Sequence, residues 1–132
     1  MKTGNKVKNQ VSVPTWIKSN EEFCPFCLKG LIDTDGSIHL TSDKKRMVIN
    51  FKNNSKPLVE SFRDMCTKLK IRTNELYEGS TLTRGKIFKH FKLEISKINQ
   101  VNRFISIINP EKWKNRKKYL LDTLNKNGSN WA

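Results

Sequence analysis

The hydrophobic and polar positions of the chain change period several times, and each change marks an element. Phe26, Leu28, Leu31 and Ile32 recur at helical intervals, and Gly36 is a natural stop, so a helix is expected to end there. Ser37-Ile38-His39-Leu40-Thr41 alternates polar and apolar, and Arg46 to Lys52 does so less strictly. With the charged turn Ser42-Asp43-Lys44-Lys45 between them, these read as two strands. Ser55-Lys56-Pro57 opens a second helix, whose apolar positions Leu58, Val59, Phe62, Met65, Cys66 and Leu69 follow the 3.6 period. A second strand pair is expected near Glu75–Glu78 and Phe88–Ile95, joined by the basic segment EGSTLTRGK. Ile98, Val101, Phe104, Ile105 and Ile108 give a third helix. Pro110 opens a fourth, with Trp113, Leu120, Leu121 and Leu124 on one side.

The order α-ββ-α-ββ-α-α, without parallel βαβ units, predicts an α+β fold: one antiparallel sheet backed by helices. Apolar residues on one sheet face leave Arg46, Asn50, Lys52, Lys89 and Lys92 as candidates for the other, and a basic open face suits a DNA groove. Upstream, Trp16 and Ile17 offer an apolar anchor, and Trp16 and Trp113 read as packing residues. Ser19 and Glu22 have the spacing of a capping box, and Pro25 predicts a kink or a restart of the helix. Residues 1–13 read as a flexible basic lead-in, 14–126 as a single domain and 127–132 as a tail.

Charge narrows the partner. In 132 residues, 26 Lys and Arg face 12 Asp and Glu, a net charge of +14, the footprint of a polyanion binder. An anionic membrane surface is the rival partner. No segment is long enough to span a bilayer and no apolar stretch follows Met1, so neither a span nor a secretion signal is expected. Three cysteines, an odd number, suggest an intracellular, reducing compartment (cytoplasm, nucleoid or organelle matrix) and no disulfide framework.

Candidate chemistry concentrates in CPFCLKGLIDTDGS, residues 24–37. Cys24 and Cys27 form a C-x-x-C, but two cysteines are not a four-ligand zinc site, and His39, His90 and Cys66 are distant in sequence. Buried structural thiols are the favoured reading; a four-cysteine site assembled across a dimer is the alternative. Gly30 and Thr34 are small and four apart, so they share a helical face that lets another backbone approach. Asp35 falls in the last turn, where the helix dipole is already negative, an unfavourable place unless a cation arrives. A divalent metal held by that carboxylate and a helix-end carbonyl would turn the liability into a site; a plain helix-ending turn is the bland alternative. The D-x-D-G string does not make an EF-hand: counted from Asp33, Ile38 and Lys44 occupy the positions that need Gly and Glu.

LKGLIDTDGS resembles the signature of the LAGLIDADG homing endonucleases, differing from the name-giving nonapeptide only at Lys29 and Thr34. VPTWIKSNEEFCPFCLKGLIDTDGSI is similar to the approach to that motif in intein- and archaeal-type members, with Pro25 a departure. INFKNNSKPLVESFRDMCTKLKI resembles the strand and helix that follow it, and FKLEISKINQVNRFISIINPEKWKNRKKYL the last strand and closing helices, so residues 14–121 are covered. The resemblance implies an αββαββα half-unit with a saddle-shaped antiparallel sheet, and a single motif implies a homodimer joined at Gly30, Leu31, Asp33 and Thr34. It implies site-specific hydrolysis of double-stranded DNA with Mg²⁺, for which Mn²⁺ may substitute, at Asp35 and Thr34. Asn53 or Asn54 would position water, Lys97 would stabilise charge at the phosphate, and Asp33 would shape the helix end rather than bind metal. DNA contacts are expected from Ser37, His39, Arg46, Asn50, Lys52, Arg84, Lys86, Lys89 and Lys92; neither a membrane nor a small-molecule substrate is expected. An intron RNA maturase and a non-cleaving DNA-binding regulator of the same fold are the alternatives.

Overall fold

A computed structural model describes residues 12–127. The elements are α1 (Thr15–Lys18), α2 (Cys24–Asp35), β1 (Gly36–Leu40), β2 (Met47–Asn53), α3 (Lys56–Lys68), β3 (Tyr77–Thr83), β4 (Lys86–Ile95), α4 (Ile98–Ile108) and α5 (Glu111–Lys126). The strands form one four-stranded antiparallel sheet in the order β1-β2-β4-β3. The fold is thus the expected α+β half-unit.

Alternation along the strands decides what each face carries. Ile38, Ile49, Phe51, Phe91, Leu93 and Ile95 point to the helix layer and are buried. There they meet Leu28 and Ile32 of α2, Phe62 of α3 and Phe104 of α4. The Phe51 and Phe62 rings stack with centroids 4.5 Å apart, and Phe104 continues the stack at 6.1 Å from Phe62. Ser55 starts α3 by accepting the Leu58 N–H on its side chain, the cap that the S-K-P sequence announces.

Three local expectations change, and the restart expected at Pro25 is found. Ser19 ends α1 rather than capping a new helix, and Asn20 takes the capping role: its Oδ1 accepts the Glu22 N–H, and its carbonyl accepts those of Phe23 and Cys24. Helix α2 restarts at Cys24, so Pro25 lies in its first turn, where no N–H is needed. Val13, placed by sequence in the lead-in, is buried and donates its N–H to Ser61 Oγ; residues 1–11 and 128–132 lie outside the described residues. Finally, EGSTLTRGK is mostly strand. The hairpin turns on Arg84 and Gly85 alone, both at positive φ (50° and 78°), which is the twist a two-residue hairpin requires.

Gly36 does not end α2 by a left-handed turn. Its backbone is extended (φ −98°, ψ 179°), and β1 begins there with no intervening loop. Glycine is needed for another reason: a Cβ there would lie 2.6 Å from Ile32 Cδ1 and 2.9 Å from Ile32 Cα.

Candidate active site at the end of α2

The direct passage from α2 into β1 leaves Asp35 exposed at the junction. Its Oδ2 accepts a hydrogen bond of 3.1 Å from Asn53 Nδ2 at the end of β2. The Asn53 amide is oriented from its other side, because Oδ1 accepts the Ser55 N–H at 2.8 Å, leaving the NH₂ for the carboxylate. The start of α3 therefore aims Asn53, and Asn53 holds Asp35. Asn54, the other sequence candidate, is exposed on the loop beside it. Among the described residues Asn53 is the only hydrogen-bond partner of the Asp35 carboxylate, so Oδ1 is open to a cation or a substrate group.

Asp33, two residues earlier, has quite different partners. Its Oδ1 accepts the Lys112 N–H (3.1 Å), and its Oδ2 accepts the Glu111 N–H (3.2 Å) and Lys29 Nζ (3.0 Å). Burial by itself raises the Asp33 carboxyl pKa. The bonds from Lys29 and then from the two α5 amides outweigh it and hold the group below the usual carboxylate range. Both oxygens serve the start of α5 within the same chain, in keeping with an acid that shapes the helix end.

Helix α5 brings the cations. Lys112 Nζ donates to the Gly36 carbonyl and Arg116 Nη1 to the Ile38 carbonyl at 2.7 Å. These are outward carbonyls of an edge strand, which α5 covers with charged side chains. Lys112 is thus tied to the residue immediately after Asp35. Lys97, the cation chosen from sequence, is exposed at the start of α4. The register Gly36↔Phe51↔Leu93 puts Asp35 level with Lys52 and Lys92. Lys97 lies past the end of β4, three strand residues from Lys92 to Ile95 and then two more to the start of α4, and among the described residues no hydrogen bond links it to Asp35. Sequence reasoning missed Lys112 because α5 and the motif are remote in the chain and nothing local links them.

The motif helix presents a bare face beside the site. Among the described residues a Cβ on Gly30 would meet nothing within 4 Å, and Gly30 and Thr34 are exposed, with Leu31 half-buried against the core. The Thr34 hydroxyl is turned back, donating to the Gly30 and Leu31 carbonyls, so its side chain is not offered as a metal ligand. Phe26, 77% exposed, and Phe23 extend this face toward Trp16, which packs edge-on to Phe23 at 5.7 Å. Trp113 packs in the core as expected, but Trp16 does not.

Cys24 and Cys66 are buried and Cys27 is half-buried; burial raises all three thiols, so they remain protonated. Cys24 Sγ donates to the Ile17 and Lys18 carbonyls. Among the described residues no group of three or more His, Cys, Asp or Glu is placed to hold a metal ion.

On the open face of the sheet, Ser37 and His39 of β1, Asn50 and Lys52 of β2, and Lys92 of β4 share one side. Lys86 has the same parity on β4, Arg46 is exposed just before β2, and Arg84 stands at the hairpin tip. Lys89 does not belong to this set. It shares the side of Phe91 rather than that of Lys92, and pairs there with Glu78 at 3.6 Å. Further residues missed from sequence join the open face, among them Tyr77, under the Lys92 ammonium at 5.1 Å, Phe88, His90, and Glu94, 3.9 Å from Lys92. Asn50 Oδ1 is buried there with no hydrogen-bond partner among the described residues.

An α+β half-unit with a bare motif helix and an acid at its end is the class that fold and site define. The model of the LAGLIDADG-like domain matches residues 26–109, well over half of the chain. The protein belongs to the LAGLIDADG family, whose domain fits homing endonucleases and maturases. No curated protein matches the chain.

Proposed function

We propose that this protein is a site-specific endonuclease of double-stranded DNA that works as a homodimer with a divalent metal. The observation that carries the reading is the junction of α2 and β1: one exposed carboxylate, aimed by Asn53, with the Lys112 ammonium on the adjoining carbonyl. A non-cleaving binder of DNA has no use for a carboxylate facing the phosphates, because the two repel.

The residues present fit Mg²⁺, which keeps several waters and is commonly bound by one or two carboxylates together with substrate phosphates. Asp35 supplies one such carboxylate with a free oxygen, and a second copy packed on the Gly30–Thr34 face would supply another. When bound, the metal supplies an activated water and charge stabilisation at the phosphate. The chain does the rest. Asn53 keeps Asp35 from rotating away. Lys112 offers positive charge beside the position a scissile phosphate would take. The Ser37, Asn50, Lys52 and Lys92 side chains face the groove, where base edges carry the sequence code. The net charge of +14 supports binding through phosphate contacts.

The test is cleavage of a randomised duplex library with Mg²⁺, with the cut products sequenced. A unique, roughly palindromic site lost in Asp35→Asn supports the reading. Uncut libraries at every metal tried, alongside tight binding of structured intron RNA, would replace it with the maturase.

A further inference from the structure

We infer that Asp33 is a positioning residue for Lys112, so that the two acids of the motif serve one site through different elements. The inference rests on the proposed nuclease reading.

The helical step separates the two side chains. Residues two apart on an α-helix diverge by about 200° around its axis, so Asp33 and Asp35 cannot face the same group. Asp35 is left at the open end of α2, while Asp33 is directed at α5. Helix α5 needs something there. Its N-cap is Pro110, which has no side-chain acceptor, and no cap hydrogen bond comes from within its own sequence. Asp33 provides it from another helix, one carboxylate oxygen on each of the first two amides, and its charge opposes the positive end of the α5 dipole. Lys29 fastens the same corner by reaching both Asp33 and Glu111 at 3.0 Å.

One of the two amides belongs to Lys112 itself. The residue whose backbone is fixed by Asp33 is therefore the residue whose ammonium rests on the Gly36 carbonyl. Backbone from one motif acid and side chain toward the other: Lys112 is held at both ends by the stretch Asp33–Gly36. A helix cap with only a structural purpose would be served equally well with any side chain at the second position of α5. Here that position carries the cation bonded to the carbonyl that follows Asp35, and a displacement of about 1 Å at such a group can cost on the order of a hundredfold in rate.

The experiment is a double-mutant cycle of Asp33→Asn and Lys112→Met. It reads single-turnover cleavage of the selected duplex in Mg²⁺ and, separately, duplex affinity in Ca²⁺. Each single variant is expected to bind within about threefold of the parent and to cleave about tenfold or more slowly, with the double variant no slower than Lys112→Met alone. Multiplicative losses, or parental cleavage by Asp33→Asn, overturn the inference. Should Asp33→Asn not fold, Asp33→Glu keeps a carboxylate for the amides but displaces the start of α5. It is expected to bind as the parent does and cut more slowly, and a parental rate again overturns the inference. If the parent cuts no duplex, the nuclease reading fails on its own, and ¹⁵N-ammonium NMR of the lysines still decides the positioning. The Lys112 ammonium signal should be slow to exchange in the parent and in Asp35→Asn, and lost in Asp33→Asn or Asp33→Glu. A signal retained in the Asp33 variants refutes the contact between the two residues.

Discussion

Asn53 donates its side-chain amide to Asp35 across a gap of 18 residues, and Ser55 decides which way that amide points. The relationship makes Asn53 a clamp on the acid. Asn53→Ala should leave the fold intact, because the lost hydrogen bonds are exposed or half-exposed and worth about 1 kcal/mol net. Cleavage should slow by about tenfold as Asp35 samples other rotamers. Asn53→Asp should be worse, since a second carboxylate would repel Asp35 and turn from the Ser55 N–H only at a cost. Thermal denaturation and single-turnover kinetics together check both; a loss of melting temperature matching the loss of rate would make Asn53 merely structural.

Gly30 and Gly36 belong to the same motif but serve opposite needs. Gly36→Ala puts a methyl onto Ile32 and should destabilise the monomer by about 1–3 kcal/mol, whatever the DNA does. Gly30→Ala meets nothing among the described residues, and replacing a helical glycine should stabilise the monomer by up to about 1 kcal/mol. The face it thickens is the proposed dimer contact, so Gly30→Leu should yield monomers by light scattering. A Gly30→Leu protein that still dimerises would place the interface elsewhere.

Acid should loosen the corner between α2 and α5 before it unfolds the domain. The Asp33 carboxyl is held below its usual range once the Lys29 and α5 bonds have outweighed burial; the Glu111 carboxyl is lowered first by Lys29 and then by Lys114. A carboxylate with a depressed folded pKa contributes stability that is complete above its unfolded pKa and is lost as pH falls through the folded value. Unfolding midpoints should therefore drop between about pH 5 and about pH 3, and drop less in Asp33→Asn, which has no proton to take up there. Equal slopes for parent and variant would remove Asp33 as the source.

The periods of α2, α3 and α4 and of β1 and β2 were legible because each buries one face against a single core, so burial writes itself into the spacing. The β3–β4 hairpin was not, because it extends past the helix layer: Leu82, Ile87 and Phe88 stay exposed there and no alternation is enforced. The face of Lys89 failed for a related reason, since parity is easily miscounted where neither side is buried. Asp35 could be found because its signal is local, an acid at a helix end. Lys112 could not, because its role depends on a contact between residues 76 apart.

Opposite faces should respond differently to the same substitution. Lys92→Ala removes a cation from the open face and should lower the steepness of log affinity against log salt by about one phosphate contact. Lys89→Ala, on the side paired with Glu78, should change that slope little. Filter-binding or fluorescence titrations at several salt concentrations read this directly. A larger loss from Lys89→Ala would put DNA on the other side of the hairpin.

Lys97 and Lys112 make the sharpest contrast, because family resemblance favours the first and geometry the second. Lys97 caps α4, exposed and beyond the end of β4, with no hydrogen bond to Asp35 among the described residues, so Lys97→Ala should cut within about twofold of the parent at saturating protein. Lys112 touches the carbonyl that follows Asp35, so Lys112→Met should slow the cleavage step by about tenfold or more while leaving Ca²⁺-supported binding nearly unchanged. Lys112→Arg should recover only part of the rate, because the planar guanidinium does not present charge as the compact ammonium does. Asp35→Asn should stop cleavage in every background and thereby set the zero of the scale. A tenfold loss in Lys97→Ala with a parental rate in Lys112→Met would mean that the catalytic phosphate lies at the far end of β4, and the site described at the end of α2 would have to be given up.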